Sequence, residues 1–552
     1  MSHAIASHSF IPLSAQPSMY TTKTQLQSPF ADPEPSSNQV ASISCLPPEI
    51  LSNIFCHLRD SFTSSTDISP WQIPCHVEPW RWSVITQVCR MWRQLALNTP
   101  TLWSQIVLSS EWHDGWWLQE MCNRSKQSPL SIVVDSVDPF QFPELLEHMG
   151  RCRALSLRQI HCDTLREFLQ NIDTSQLKYL LIYHSFRPQK DNPFIFDDTV
   201  LRTKTLCQLR LYSCSVNWES SCLRRITHLW LANIQKESRL SCRNFVTFLS
   251  DIPVLEVLHL STFIGDFAFA EDAAVLFLHP EGDKAYLRSL KRVHVSCVVN
   301  EVASFLIRLD LPSFCQLEIN TWDSADKVSL PVRLILLWIA HHFQPPSSAQ
   351  TDDVTVGQNF FQTFCLQRVR NTLHIRCFSE VVTHYHIIGG REPILELMIQ
   401  WKFADWTNAR FEIDDSILRP FFTSLPLGRV VYLELSDISD LTLSDMLWLD
   451  ISSLIPSLEK IFIGSDARPF FRALSLNPND SSLCPFSALS SITLENNNNF
   501  NFKYTLPTLY TRSAAGFRIR ELLLPAECHS CIPVLILDQL QATFSYVGFY
   551  FK

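Results

Sequence analysis

The sequence predicts an α+β chain in two parts: a small N-terminal helical module, then an irregular horseshoe of stacked parallel strands, each returning through a helix or an irregular segment. Three observations carry this. Two amphipathic helical patterns lie within residues 46–108. From about residue 150 onward, short runs with apolar residues at their first, fourth and sixth positions recur. Hydrophobic residues make up 46% of the 552 and charged ones only 18%, which suits a core that grows with each added unit.

Residues 1–44 are dominated by Ser, Pro, Thr, Gln and Asn without an apolar period, so they read as a tail that cannot offset its ordering entropy. Leu46-Pro47-Pro48-Glu49-Ile50-Leu51 then opens a helix. Proline's missing N–H would be unpaired in the first turn anyway, and Glu49 suits the positive end of the dipole. Ile50, Ile54 and Leu58 fall at helical spacing with Leu51 and Phe55 beside them, giving one apolar face. Residues 60–82, rich in Ser, Thr and Pro and holding Trp71, Trp80 and Trp82, form an insertion loop. Beyond it Ile85, Val88, Trp92 and Leu95 predict one second helix ending before Asn98-Thr99-Pro100, and Leu102, Trp103, Ile106 and Leu108 close a module spanning 45–108. Residues 109–149 read as a connector.

The recurring run appears as Leu177-Leu180-Ile182, Leu206-Leu209-Leu211, Ile226-Leu229-Leu231, Leu255-Leu258-Leu260, Leu290-Val293-Val295 and Phe314-Leu317-Ile319. Later copies are Val430-Leu433-Leu435, Leu458-Ile461-Ile463, Leu489-Ile492-Leu494 and Ile519-Leu522-Leu524. Spacings of 20 to 35 residues between middle positions centre on the leucine-rich-repeat period, so residues 150–552 read as an irregular leucine-rich-repeat solenoid. Helical returns fit residues 164–171 and 242–250. The turn position is polar or thiol at Cys214 and Asn497 but apolar at Ile234, Phe263 and Ile438, hence the irregularity. Between 319 and 430 only Leu373-Ile375 and Leu395-Leu397 suggest strands, and an insertion falls near 344–358. An α/β domain without repeats would show some of these strands too.

Two segments of the module carry a family likeness. Leu46-Pro47-Pro48-Glu49-Ile50-Leu51-Ser52-Asn53-Ile54-Phe55 and Val88-Cys89-Arg90-Met91-Trp92-Arg93-Gln94-Leu95-Ala96, closed by Thr99-Pro100-Thr101-Leu102-Trp103, resemble the interrupted F-box-like form found ahead of leucine-rich repeats in mushroom-type fungi (basidiomycetes). The resemblance implies a substrate-recognition subunit of a Skp–cullin–F-box ubiquitin ligase, bound to a Skp-family adaptor and through it to a cullin-RING scaffold. It places Leu46, Pro47, Pro48, Ile50, Leu51, Ile54, Phe55, Leu58, Val88, Cys89 and Trp92 at the adaptor. An unknown protein substrate would meet the strand surface, with Tyr179, Arg210, His228, Trp230 and His259 as candidates. Two other roles fit the same residues: a protein-interaction scaffold that recruits no ligase, and a helical cap sealing the apolar end of the array.

Other classes have less to stand on. A net charge of −9 without basic runs argues against a nucleic-acid partner. The chain opens without a basic flank and apolar h-region, and its most apolar stretch, 332–340, contains Arg333 and is too short to span a bilayer. The expectation is a soluble intracellular protein, in the cytoplasm, the nucleus or both. Eighteen scattered cysteines suit a reducing compartment, and Cys528-His529-Ser530-Cys531 lacks a second pair for a metal. With 11 glycines there is no phosphate-cradling loop, and no nucleophile elbow or HExxH helix occurs. His341-His342 ends an apolar helix and suits its negative pole, while His384-Tyr385-His386 before Gly389-Gly390 and Asn496 to Asn499 read as surface or loop residues. No enzyme, metal or cofactor is expected.

Overall fold

The structure, a computed structural model, describes residues 43, 46–63, 81–110, 115–184, 194–199, 203–235, 238–262, 284–312, 314–323, 330–343, 361–369, 372–382, 392–401, 415–436, 443–464, 467–475, 484–495, 502–527 and 532–550. The interior of the 60–82 loop, the insertion near 344–358, nearly all of the tail and the motifs at 384–390, 496–499 and 528–531 lie outside them.

Three helical pieces come first among the described residues. Pro48–Thr63 forms the first helix, its start closed by the Leu51 N–H donating to the Pro47 carbonyl at 3.1 Å. Where the spacing predicts one second helix, the structure has two. Arg81–Val84 and Ile85–Val88 make a short 3-10/α piece, and Arg90–Leu97 a separate helix. The break is Cys89, extended at φ −156° and ψ 169°, whose Sγ accepts the Trp92 N–H at 3.4 Å. An apolar period continues through the break because it records which side is buried, whereas the cap residue decides where hydrogen bonding restarts.

Strands follow at β1 (Gln105–Ser109), β2 (Leu130–Asp135), β3 (Cys152–Arg158), β4 (Tyr179–Tyr183), β5 (Ile195–Phe196), β6 (Gln208–Tyr212), β7 (Ser215–Val216), β8 (His228–Ala232), β9 (Val257–Ser261), β10 (Ala285–Tyr286) and β11 (Arg292–Val298). Then come β12 (Leu309–Asp310), β13 (Gln316–Asp323), β14 (Thr363–Val369), β15 (Thr372–Phe378), β16 (Leu395–Trp401), β17 (Tyr432–Ser436), β18 (Lys460–Ile463), β19 (Ser491–Leu494), β20 (Glu521–Pro525) and β21 (Tyr546–Tyr550). Seventeen of them form one sheet, while β5 with β7 and β10 with β12 make small parallel pairs.

In that sheet β1, β2, β3, β4, β6, β8, β9, β11 and β13 lie side by side in chain order, all parallel. The middle is rearranged. Strand β16 pairs with β13, β15 runs antiparallel between β16 and β14, and β14 pairs with β17. From β17 to β21 the parallel order resumes. Every predicted run carries a strand, and the segment expected as a connector, 109–149, contributes the helix Gly115–Ser125 and strand β2.

Alternation explains the layering, since successive side chains in a strand point to opposite faces. Leu180, Leu209, Leu258, Val293, Leu433 and Leu522 are fully buried on one face. Against it lie helices such as Cys162–Asn171, Cys242–Ser250, Val299–Leu306 and Leu330–His342, whose Phe168, Phe245, Phe305 and Leu336 are also buried. Phe314 departs from its expected inward place: it is exposed, and Cys315 takes the core position. Several strands end on a left-handed residue, Ser136, Gln159, Ser213, Asn233 or Thr262. Each of these donates its N–H to the adjacent strand's carbonyl, at Arg158, Tyr183, Ala232, Ser261 and Ser296 respectively.

One hydrophobic core runs from Leu51 in the first helix to Phe544 beside β21. The N-terminal module is therefore packed onto the sheet. Among the described residues no helix is long and apolar enough to cross a membrane.

Candidate functional site

The module's own core decides which of its apolar side chains remain outside. Leu51 and Phe55 are 1% exposed, and the Phe55 ring packs on Trp92 at 5.0 Å. Trp82 meets Trp103 edge-on at 5.1 Å, and the Trp103 Nε1–H donates to the Ala96 carbonyl at 2.8 Å. Arg59, largely buried, donates to the Thr101 carbonyl and pairs with Asp60 at 2.6 Å. These contacts fix the first helix against the segment leading into β1.

Among what they leave exposed is a set of apolar side chains. Ile50 is 46% and Ile54 39% exposed on the first helix, with Leu46 at 37% just ahead of it and Pro47 and Pro48 also exposed. On the following two pieces Val84, Val88 and Met91 are exposed, as is Cys89. Of the residues expected at an adaptor, Leu46, Pro47, Pro48, Ile50, Ile54, Val88 and Cys89 thus face outward. Leu51 and Phe55 differ: they sit on the helix side turned to Trp82 and Trp92, so they hold the surface without forming it. Leu58 and Trp92 are intermediate, half-buried against the core. Val84 and Met91 were missed: Met91 stands inside the segment Val88 to Ala96 that drew attention, whereas Val84 falls between the 60–82 loop and the helical pattern beginning at Ile85.

A second arrangement occupies the sheet face opposite the leucines. Register places Leu181, Arg210, Trp230, His259, His294, Glu318, Glu396 and Arg376 in one row across neighbouring strands. A flanking row holds Tyr179, Gln208 and His228, and another Tyr183 and Tyr212. All five sequence candidates therefore share this face, and all are half-buried.

Contacts along the row are specific. The Arg210 guanidinium lies over the Trp230 ring, 2.9 Å from its centroid, and 5.5 Å from that of Tyr179. Trp230 meets His259 edge-on at 6.0 Å, His259 stacks on His294 at 3.8 Å, and His294 Nδ1 lies 2.9 Å from a Glu318 carboxylate oxygen. His228 sits aside from this chain, with its Nδ1 2.9 Å from the Thr227 hydroxyl.

Electrostatics follow from burial and neighbours. Burial, then the adjacent His294 and Arg210, pushes His259 down to about 2. Burial also lowers His228, and raises Tyr212 to about 12. Burial, the largest single influence on Glu318, opposes its ionisation, but the hydrogen bond and charge of His294, the Asn320 hydrogen bond and the charge of Arg292 together hold the carboxyl below its ordinary value. Glu396 is raised, first by burial and then by Glu318 beside it. Among the described residues no cluster of His, Cys, Asp and Glu could hold a metal ion.

The family model for F-box-like domains matches residues 43–109, so the helical pieces together with β1 form an F-box-like domain. No curated protein matches the chain.

Proposed function

We propose that this chain is the substrate-recognition subunit of a Skp–cullin–F-box type ubiquitin ligase. Its F-box-like domain docks a Skp-family adaptor, which links it to a cullin-RING scaffold, and the outer face of its sheet holds a target protein. The observation that carries this reading is the exposed set Leu46, Ile50, Ile54, Val84, Val88 and Met91 within an F-box-like match. Apolar side chains gathered on helices and left in water are the usual mark of a helix-packing partner site. The chemistry of ubiquitin transfer belongs to other subunits, and the chain itself is not an enzyme in this reading.

The strand array is read as an irregular leucine-rich-repeat solenoid, in keeping with its 20-to-35-residue period and its in-register parallel stacking. In such arrays the variable outward positions supply specificity, which gives Tyr179, Arg210, His228, Trp230 and His259 their place at the target.

Pull-down with purified Skp-family adaptor tests the reading, comparing the wild type with Leu46→Ala/Pro47→Ala and with Ile50→Asp. The wild type retains adaptor and the variants lose it. Failure of the wild type to retain adaptor would favour the second reading, a scaffold whose helices cap the array, which the shared core between the module and the sheet also supports.

A further inference from the structure

We propose that the rim of the sheet at the N-terminal ends of β2, β3, β4, β6 and β8 docks an acidic, extended segment of the target protein. This rests on the reading of the sheet as the part of the chain that holds a target, and adds a second contact surface of stated chemistry beside the outer face.

Five strands that lie side by side are each approached through an exposed cation. Lys126 precedes β2, Arg153 follows Cys152 at the start of β3, Lys178 stands directly before β4, Lys204 before β6, and Arg224 and Arg225 before β8. Among the described residues none of these six forms an ion pair. Asp173 is the one acid within the approach segments 123–129, 148–153, 172–178, 203–207 and 220–227, and its carboxylate accepts the Ser175 N–H at 2.9 Å. Glu147, on the helix Pro143–His148 ahead of β3, pairs with none of the six either. The run ends past β8, where Glu256, ahead of β9, pairs with Lys291 at 2.8 Å. On a chain of net charge −9, this edge carries a local field of the opposite sign, suited to drawing in an anionic partner.

Backbone hydrogen bonds hold the cations in line. The Lys178 N–H donates to the Arg153 carbonyl at 2.9 Å, the Cys207 N–H to the Lys178 carbonyl at 3.0 Å and the Thr227 N–H to the Cys207 carbonyl at 2.8 Å. Arg225 Nη1 donates to the Lys204 carbonyl at 3.4 Å, and the Thr205 hydroxyl to that of Leu177 at 2.8 Å. Arg151 donates to the Cys122 and Ser128 carbonyls, both at 3.0 Å, and so ties the Lys126 turn to the start of β3. A surface built this way needs little ordering of its backbone on binding.

Span and composition choose the partner. From β2 to β8 there are four strand-to-strand steps, about 19 Å at about 4.8 Å each, which an extended chain rising about 3.3 Å per residue crosses in about six residues. A dense run of carboxylates meets cations at that spacing, whereas the same acids scattered along a chain leave most of them unmet. The approach segments contain no Phe, Tyr or Trp, the rings on which single-stranded nucleic acid stacks, and this favours protein carboxylates over nucleic-acid phosphates. Tyr179 and His228 open β4 and β8 next to the rim, so one target can meet both surfaces.

The full-length protein is titrated by fluorescence anisotropy with a labelled twelve-residue peptide holding six consecutive glutamates between glycines, and with one of equal composition whose glutamates form two runs of three at its ends. The continuous run should bind about threefold or more tightly than the split one, and about tenfold or more weakly to Lys178→Glu/Lys204→Glu. Arg333→Glu, at an exposed position of the helix Leu330–His342, should leave binding unchanged. No binding, no preference for the continuous run, equal weakening by Arg333→Glu, or a labelled twelve-nucleotide single-stranded RNA bound as tightly as the continuous peptide overturns the proposal. So does a double variant that loses stability in urea yet keeps the peptide, since its cations would then serve the negative ends of the preceding helices. Lys178→Gln/Lys204→Gln serves where the reversal unfolds the chain, judged by circular dichroism. Adaptor capture is measured on every variant; its retention keeps the F-box-like reading separate from the fate of the peptide result.

Discussion

Ile54 and Phe55 are neighbours in sequence and opposites in consequence. Phe55 fills the module's interior against Trp92, so Phe55→Ala should cost about 3–5 kcal/mol through lost burial and the cavity left behind, read as a fall in the urea midpoint. Ile54, exposed, should tolerate Ile54→Asp within about 0.5 kcal/mol, yet the same substitution should abolish adaptor capture by placing a carboxylate in an apolar contact. His259 makes a pH prediction of the same locality. Its imidazole is pushed from 6.5 down to about 2, so below pH 6.5 the unfolded chain takes up a proton there that the folded chain does not. Stability should therefore fall as pH drops from 6.5 toward 2, with no contribution above 6.5. His259→Gln should flatten part of that slope in urea titrations between pH 7 and 4. Part will remain, because His342, lowered to about 4, and Glu318, held below its ordinary value, slope the same way.

Elements show how parallel register is maintained and where a side chain would break it. Gly464 directly follows β18 and donates its N–H to the Leu435 carbonyl at 2.6 Å. A Cβ there would stand 3.1 Å from that oxygen and from Ser436 Cα, and against the Glu495 carboxylate. Gly464→Val should cost about 1–3 kcal/mol by overpacking, visible as a lower urea midpoint with an unchanged slope. The ten runs, aliphatic but for Phe314, were legible as strands because the apolar residues at their fourth and sixth positions keep the strand's own period of two. Of the others with the same spacing, Trp103-Ile106-Leu108 in β1 was read as an apolar closure and not as a strand, while Cys152-Leu155-Leu157 in β3, Phe361-Phe364-Leu366 in β14 and Phe544-Val547-Phe549 in β21 passed unread. Admitting aromatic and thiol side chains to the pattern would have found all four. Two features carry no such mark. The placing of β16 beside β13 depends on pairing across a long separation, and the break at Cys89 depends on one backbone conformation. At the sites, spacing brought the outward positions of the first helix and of the sheet face into view but did not separate Ile54 from Phe55, since both belong to an apolar stripe whose two edges meet different surroundings.

At the scale of the molecule, the F-box-like domain and the sheet share a core, and β1 belongs to both. A fragment of residues 43–109 should therefore fail to fold alone, because Ile106 and Leu108 would lose the neighbours that bury them. Its circular dichroism should lack the helical signal of three packed pieces. A chain starting at residue 110 should in turn expose the edge of β2 and aggregate, which light scattering would detect. Only Ser104 stands between the turn Pro100–Trp103 and β1. A joint that short has no elbow. Under the proposed function, whatever the sheet grips would be held at a fixed bearing from whatever the helices grip, so the chain would act as a ruler: a target's suitability would depend on where its lysines fall along a preset line of sight as well as on how tightly it is held.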